Sequence, residues 1–334
     1  MEAVNQDIIP KITLSDGREM PCIGMGTFGS DRFSALQVAD AVYGGIEVGY
    51  RMFDCAACYG NEKEIGKSLA KAFDEGKVKR DELFIMTKIW NDMHRKVRES
   101  CLKSIEELQC DYVDMLYIHW PFPNYHPPGC DVDARNPDSK PFSVEEFTDT
   151  YRQIEELVGE GLVRYIGISN MTIPKLEAVL PLLKIKPTAC EIELHPAFQQ
   201  EELFNYLKEH DIIVVGYMPM GSPARPDRDM MPEDIADLKM PEIVGIAEAH
   251  GIPTAEVALK WAYQRGQIPI PFSITKEHYK ANLRCLTEDP LNEEEMRLIA
   301  TLERGNRLVK GQVFLWEGAK DWHALWDEDG VIVS

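Results

Sequence analysis

The feature that most constrains the fold of this chain is a regular alternation of two kinds of segment. Short apolar or β-branched runs occur at residues 22–26, 51–54, 83–88, 115–119, 165–169, 189–194, 212–217 and 268–272. Segments with helical spacing follow them, at residues 34–47, 61–74, 94–108, 143–159, 172–183, 200–210, 240–250 with 255–265, and 276–286. Buried-looking strands that alternate with helices are typical of a parallel sheet covered by helices.

Eight strand–helix units predict an α/β fold of the (β/α)8 TIM-barrel type, which has this count in roughly 250 residues. Ahead of the first unit, KITL, a Ser-Asp-Gly turn at 15–17 and REMPCIG predict an N-terminal β-hairpin. A doubly wound open sheet is the alternative, because periodicity does not distinguish an open sheet from a closed one. We expect residues 1–334 to form a single barrel domain with long loops at the carboxyl ends of the strands.

Two segments depart from the alternation. Residues 120–142 are rich in Pro, Asn, Gly and Asp and directly follow the fourth predicted barrel strand. A loop of this length in a compact domain is usually functional, so it is predicted to be a substrate loop over the carboxyl end of the barrel. The tail, residues 306–334, carries Trp316, Trp322 and Trp326. It either caps the same end or packs on the outer helices.

Composition excludes some classes of partner. The chain has 36 Lys+Arg against 56 Asp+Glu, a formal net charge of −20, which disfavours nucleic acid and anionic membranes as partners. Neither an apolar run of about 18 residues nor a signal-peptide pattern is present, so we expect a cytoplasmic protein. We expect it to be a monomer or a homodimer. The 8 cysteines are scattered and suit reduced thiols better than a disulfide framework.

A glycine motif near the N-terminus suggests a different fold. Residues 24–29 match G-x-G-x-x-G, with Asp54 at the end of the next strand, which is the pattern of a dinucleotide-binding open sheet. However, Pro21 shortens the strand before the glycines, and residues 30–34 separate Gly29 from the helix start, whereas pyrophosphate binding needs the helix at the glycines. We therefore interpret them as turn glycines at a barrel mouth.

Four polar residues stand at or just beyond consecutive strand ends: Asp54, Tyr59, Lys88 and His119. In a barrel, such residues point into one site. Their combination suggests proton donation to an oxygen, because an ammonium near a phenol favours the phenolate and lowers its pKa. The carboxylate would hold Lys88 and keep it charged, and a neutral His119 would orient the substrate oxygen.

The chain resembles the aldo-keto reductases, of the aldose- and xylose-reductase type, over nearly its whole length. The motifs are GMGTF at 24–28, FDCAACYGNEKEIG at 53–66, KIW at 88–90, VDMLYIHWP at 113–121, GISN at 167–170, EIELHP at 191–196 and GYMPMGSP at 216–223. The resemblance implies a barrel that binds a nicotinamide cofactor across its strand ends and reduces an aldehyde or ketone, such as a sugar. It assigns Tyr59 as the general acid, Lys88 and Asp54 as its tuning pair, and His119 as the orienting group.

The resemblance also implies residues that contact the cofactor and the small-molecule carbonyl substrate. Cofactor residues are Thr27, Ser169, Asn170, Glu191, Tyr217, Gly221, Ser222, Ser273, Thr275, His278 and Asn282, with Tyr217 stacked on the nicotinamide. Phe28, Trp90 and Trp120, together with Thr27, form the aromatic side of the substrate pocket. No metal is expected: Cys55 and Cys58 have zinc-like spacing but lack a second pair.

The departures from the family pattern concern the cofactor. Glu191 replaces a Gln and cannot donate a hydrogen bond when ionised. Phe272 and His278 replace basic residues that contact the 2′-phosphate in many members, so NADP is the expected cofactor with NAD possible. Gly29, Ala224 and Phe272 stand where related enzymes carry charges that bridge over the cofactor, which predicts a more open cleft and faster cofactor exchange. A non-catalytic nicotinamide-binding regulatory or structural protein is the alternative.

Overall fold

The strands of the alternating pattern form one sheet that closes on itself. The computed structural model describes residues 3–123, 138–223, 225–227 and 230–333. Its strands are β1 (Lys11–Thr13), β2 (Glu19–Pro21), β3 (Met25–Gly26), β4 (Met52–Asp54), β5 (Phe84–Ile89), β6 (Val113–Ile118), β7 (Val163–Ser169), β8 (Ala189–Glu193), β9 (Ile213–Tyr217) and β10 (Ile268–Ile270). Strands β3 to β10 pair in parallel and in chain order. The parallel sheet predicted from the alternation is confirmed.

The seam between the first and last barrel strands involves the glycine motif. The backbone N–H groups of Gly24 and Gly26 donate to the carbonyls of Pro269 and Pro271, at 3.1 and 2.9 Å, so β10 joins β3. A Cβ at Gly24 would lie 2.5 Å from Cδ1 of Ile270, which is closer than packed carbon atoms approach. These two glycines therefore permit barrel closure, and the open-sheet alternative is wrong.

Helices connect the strands on the outside of the barrel. They are α1 (Ala35–Val48), α2 (Glu62–Asp74), α3 (Val97–Glu107), α4 (Val144–Gly159), α5 (Ile173–Val179), α6 (Glu201–Glu209), α7 (Pro241–His250), α8 (Thr254–Arg265), α9 (Lys276–Arg284) and α10 (Glu293–Ala300). The sequence analysis did not predict α10, although Asn292 and Glu295 form a capping box at its start. In the described part of the chain, no helix is long and apolar enough to cross a membrane.

The predicted N-terminal hairpin covers the amino ends of the barrel strands. β1 and β2 pair antiparallel, and Met20 of β2 is fully buried in a cluster with side chains of the barrel strands such as Met52 and Met115. Asp16, in the hairpin turn, accepts a hydrogen bond of 2.8 Å from the hydroxyl of Tyr165 in β7. The carboxyl ends are thus the open side of the barrel, where the polar residues lie.

Candidate active site

The predicted polar residues converge on one buried ammonium group. Asp54 is the last residue of β4 and Lys88 lies in β5, the neighbouring strand. Nζ of Lys88 forms an ion pair with Asp54 and donates to the carbonyl of Cys55 at 3.1 Å. Burial alone would lower the pKa of Lys88, but the carboxylates of Asp54 and Glu191 outweigh it and hold that pKa well above its usual value. Lys88 is therefore charged at neutral pH.

Tyr59 lies next to this ammonium on a short 3-10 turn, Ala57–Tyr59, that follows β4. Gly60 ends the turn in the left-handed region, with a φ of 66°. The Tyr59 ring centre is 5.4 Å from Nζ of Lys88 and 5.9 Å from the centre of the His119 ring. Burial raises the pKa of Tyr59 well above its ordinary value, and Lys88 is the neighbour that lowers it. Lys88 lowers the pKa of Tyr59, as the sequence predicts, but burial raises that pKa by more. Tyr59 therefore keeps its proton at neutral pH.

His119 follows β6 and its imidazole is uncharged. Burial, and then the charge of Lys88, hold the pKa of His119 well below its usual value. Nδ1 of the ring lies 3.5 Å from the thiol sulfur of Cys58, and the backbone carbonyl accepts a 2.9 Å hydrogen bond from Nδ2 of Asn170. The neutral form that the sequence analysis expected is thus the one this environment favours.

Glu191, the middle residue of β8, is closer to this cluster than the sequence suggested. Its Oε1 lies 3.4 Å from Nζ of Lys88, and its Oε2 is buried without a partner among the described residues. Burial raises the pKa of Glu191, the Asp54 carboxylate raises it further, and Lys88 offsets only part of this, which leaves that pKa at about 8. A side chain expected only beside a cofactor is therefore part of the lysine cluster itself.

A hydrogen-bonded row connects β7 with β9 beside the cluster. The Tyr217 hydroxyl donates to Oδ1 of Asn170 at 2.7 Å, and the Ser169 hydroxyl donates to the backbone carbonyl of Glu191 at 2.8 Å. Asn170 has a φ of 57°, in the left-handed region that Asn tolerates better than most residues. The structure thus brings these four predicted cofactor residues together next to Lys88.

Thr27 is placed behind the cluster. It is fully buried, and its hydroxyl donates to the backbone carbonyl of Asp54 at 2.8 Å. Nδ2 of Asn61, which the sequence analysis did not single out, donates to the carbonyl of Thr27 at 2.8 Å. In this structure Thr27 therefore holds the end of β4, and its contact with a cofactor stays a prediction.

The remaining predicted cofactor residues lie on two neighbouring loops and one helix. Gly221 and Ser222 follow β9, Ser273 and Thr275 follow β10, and His278 and Asn282 lie on α9. Gly221 has a φ of 65°, and a Cβ there would lie 2.4 Å from Oδ1 of Asp237, so the backbone packs directly against the Asp237 side chain. His278 is exposed and Asn282 is buried.

A charged pair spans the loops that follow β3 and β9. Nη2 of Arg32 pairs with the carboxylate of Asp227 and donates to the carbonyl of Arg225 at 3.1 Å. Nearby, the rings of Phe33 and Phe272 lie 5.9 Å apart. Of the three positions predicted to leave the cleft open, Ala224 lies outside the described residues. Arg32 and Asp227 thus join the loops after β3 and β9, where the resemblance predicted that bridging charges are missing.

The tail packs against the aromatic residues that the sequence analysis assigned to a substrate pocket. The ring of Phe314 lies 5.7 Å from Trp90 and 4.4 Å from Trp120, centre to centre, while Trp90 packs edge-on against His119 at 5.1 Å and Phe28 lies 5.1 Å from Tyr59. Of the two placements left open for the tail, it covers the carboxyl end of the barrel. Phe314 was not among the predicted pocket residues. Residues 124–137, most of the predicted substrate loop, lie outside the described residues.

Two buried contacts hold the tail in place. Lys175 of α5 forms an ion pair with Asp327, and its Nζ donates to the carbonyl of Leu325 at 2.8 Å. Glu193, the last residue of β8, accepts hydrogen bonds from the backbone N–H groups of Leu308 and Val309, at 2.7 and 2.9 Å. The tail is therefore anchored both to an outer helix and to a barrel strand.

Sequence reasoning missed a buried histidine next to this second anchor. His195 is fully buried, with Nδ1 2.8 Å from Asp237 and Nε2 3.1 Å from Glu193. Burial lowers the pKa of His195, but hydrogen bonds to the two carboxylates raise it more, to about 9. The EIELHP motif contains both His195 and Glu193, but only the fold brings Asp237 to them.

Metal binding finds no support in the described residues. None of their His, Cys, Asp and Glu side chains form a group of three or more that could hold a metal ion. The seven cysteines among them are free thiols, and Cys130 lies outside the described residues.

Comparisons with known proteins agree on one family. A sequence model described as the Aldo/keto reductase family matches residues 22–304. An aldo/keto reductase of Synechocystis sp. is 38% identical over 318 residues, which are 94% of this chain and 95% of the relative. An NADPH-dependent D-xylose reductase of Candida boidinii is 38% identical over 310 residues, 89% of this chain and 94% of the relative. The crystal structure of a Bombyx mori aldo-keto reductase in complex with NADP has a TM-score of 0.78 at 29% identity, covering 90% of this chain and 95% of that chain.

Proposed function

Because the chain belongs to the aldo/keto reductase family and is an oxidoreductase, we propose that it binds NADP(H) and reduces an aldehyde or ketone to the alcohol. One observation carries the proposal: a buried Lys88, paired with Asp54, lies against Tyr59, and Tyr59 lies against a neutral His119. A binding module on the same barrel would have no need for this arrangement.

Each of these residues has a chemical role in the proposed reaction. Bound NADPH supplies a hydride to the carbonyl carbon. Tyr59 holds a proton at neutral pH and donates it to the carbonyl oxygen, which becomes the hydroxyl. The Lys88 ammonium stabilises the phenolate that remains, and Asp54 keeps that ammonium in place. His119 donates a hydrogen bond to the same oxygen and fixes its position.

The residues around the cluster fit a nicotinamide dinucleotide. The buried Oε2 of Glu191, which has no partner among the described residues, offers a polar contact beside Asn170 and Tyr217. Relatives named as NADPH-dependent, such as the D-xylose reductase of Candida boidinii, support NADP(H). Phe272 and the exposed His278 leave NAD(H) as a second possibility.

The proposed substrate is a small hydroxylated aldehyde, such as a sugar. The wall around His119 is aromatic, formed by Phe28, Trp90, Trp120 and Phe314. Such rings pack against the C–H faces of a sugar, while the polar cluster takes the carbonyl. The relatives named after D-xylose and aldose substrates point in the same direction.

The test is consumption of NADPH and of NADH with a panel of aldehydes, ketones and sugars, in the wild type and in Tyr59→Phe. We expect turnover in the wild type, and a loss of at least about a hundredfold in the variant, with cofactor binding unchanged. Tyr43→Phe is the matched control, because the Tyr43 hydroxyl contacts Glu75 near the surface. Substantial activity in Tyr59→Phe would exclude Tyr59 as the acid. Cofactor binding without turnover on any carbonyl would favour the non-catalytic alternative.

A further inference from the structure

The lysine cluster holds more acidic groups than its one cation can balance. Nζ of Lys88 is paired with Asp54, and Oε1 of Glu191 lies 3.4 Å from it. All three side chains are at most 5% exposed. With both carboxyl groups ionised, the cluster would carry a net charge of −1 in a buried site, which is unfavourable unless a proton or another cation compensates it.

Burial raises the pKa of both carboxyl groups, and we assign the proton to Glu191 and not to Asp54. Asp54 has the direct ion pair with Lys88, while Glu191 is farther from the ammonium and has one oxygen with no partner among the described residues. Its pKa of about 8 agrees with this assignment. A protonated carboxyl group has one donor and one acceptor, as a Gln amide does. Glu191 can therefore take the place of a Gln near neutral pH.

Ionisable groups surround Glu191 on several elements. Those that face it are Asp54 on β4, Tyr59 on the following turn, Lys88 on β5, Tyr117 on β6, Cys190 on β8 and Tyr217 on β9. The neutral His119 lies on the other side of Lys88, and the charges of Glu193 and Arg307 act on Tyr217. Burial raises the pKa of every tyrosine and of Cys190 in this set, so these groups are neutral. Ionisation of Glu191 thus changes the charge of the cluster from 0 to −1.

We propose that Glu191 makes this site prefer the oxidised over the reduced cofactor as pH rises, because it becomes a buried negative charge beside the nicotinamide. The inference rests on the proposed function, in which the nicotinamide lies beside Glu191, Asn170 and Tyr217. An oxidised nicotinamide ring carries a positive charge, whereas a reduced ring is neutral. Binding of the oxidised form therefore favours release of the Glu191 proton, and binding of the reduced form does not.

The experiment is a fluorescence titration of the dissociation constants for NADP+ and NADPH, without substrate, from pH 6.5 to 9.5. Ionisations of the cofactor phosphates and of residues near the adenosine affect both forms alike and cancel in the ratio. We expect the ratio Kd(NADPH)/Kd(NADP+) to rise about tenfold or more across this range in the wild type. In Glu191→Gln it should stay constant within about twofold. Proton release on NADP+ binding, measured with an indicator dye near pH 7.5, should occur in the wild type alone.

Two further variants sharpen the result. Glu62→Gln is the matched control: Glu62 is another buried carboxyl group, whose oxygens accept from Thr87 at 2.5 Å and Ser104 at 2.8 Å, away from Lys88. It should keep the wild-type pH dependence. In Asp54→Asn, Glu191 becomes the sole carboxylate for Lys88, so the rise in the ratio should move to lower pH.

The outcomes distinguish failure of this inference from failure of the proposed function. Binding of both cofactor forms with a ratio that does not change with pH would overturn the inference and leave the proposed function standing. The same slope in Glu191→Gln as in the wild type would also overturn it. If neither form binds to the wild type, the proposed function fails and the inference fails with it.

Discussion

The thiol sulfur of Cys58 lies 3.5 Å from Nδ1 of His119. Burial raises the pKa of the Cys58 thiol and lowers that of the His119 imidazole, so both groups are neutral. A thiol sulfur is a weak acceptor and an imidazole nitrogen a good one, so we assign the S–H as the donor to Nδ1. This assignment places the single imidazole proton on Nε2, where it can reach a substrate oxygen.

Cys58→Val should therefore remove the contact that holds the imidazole proton of His119 on Nε2. Loss of a hydrogen bond of about 1 kcal/mol predicts a fall of about fivefold in kcat/KM, and 15N NMR of the imidazole should show a mixture of tautomers. Cys58→Ser keeps a donor and should restore both readouts. Cys110→Val, which alters a half-buried cysteine at the end of α3, is the control. A Cys58→Val enzyme with the wild-type tautomer and rate would contradict the assignment.

The buried His195 should make stability depend on pH. Its folded-state pKa of about 9 lies above the ordinary value of 6.5, so its contribution is fully present below about pH 6.5 and is lost as the pH rises through 9. For His195→Gln we expect a loss of about 3 kcal/mol at pH 6 and a much smaller loss at pH 9.5. Denaturant unfolding at both values measures this. His210→Gln, on an exposed histidine, should show no such trend, and an equal loss at both values for His195→Gln would refute the charged histidine.

The sequence predicts faster cofactor exchange, but the Arg32–Asp227 pair joins the loops after β3 and β9 and should slow cofactor release. Because both side chains are exposed, the pair contributes at most about 1 kcal/mol, and Arg32→Met should raise the dissociation rate of NADPH up to about fivefold in stopped-flow displacement. Asp227→Asn should have the same effect, and the double variant should add nothing further. Arg98→Met removes an exposed pair with Glu160 elsewhere and should change nothing. Additive single effects would show that the two residues act separately.

A positive charge introduced on α9 should change the preference between NADPH and NADH. His278 is exposed on the first turn of this helix, and an arginine there would offer a charge-assisted hydrogen bond to a 2′-phosphate. We expect His278→Arg to tighten NADPH binding relative to NADH by about tenfold. His210→Arg, which makes the same exchange on a distant exposed turn, is the control. An unchanged ratio in His278→Arg would mean that this position does not face the phosphate.

The alternation of strands and helices, and the convergence of Asp54, Tyr59, Lys88 and His119, could be read from the sequence alone. Both rest on local properties. Periodicity reports burial of a segment, and all parallel strands present their carboxyl ends on one side, so residues at those ends meet whatever the loops do. The glycine motif was correctly separated from a dinucleotide-binding turn, but Gly24 and Gly26 lie in the seam between β3 and β10 and not in a turn at the barrel mouth.

Only the tertiary structure decided what surrounds these residues. The contacts of Phe314 with Trp120, of Arg32 with Asp227, and of His195 with Asp237 join residues far apart in the chain, whose meeting depends on the course of loops that periodicity does not describe. The pKa of Glu191 also depends on contacts between residues far apart in the chain. A Glu in a sequence is expected to be an anion, and the pKa of Glu191 is raised only because the fold buries it beside Asp54, where a second negative charge is unfavourable.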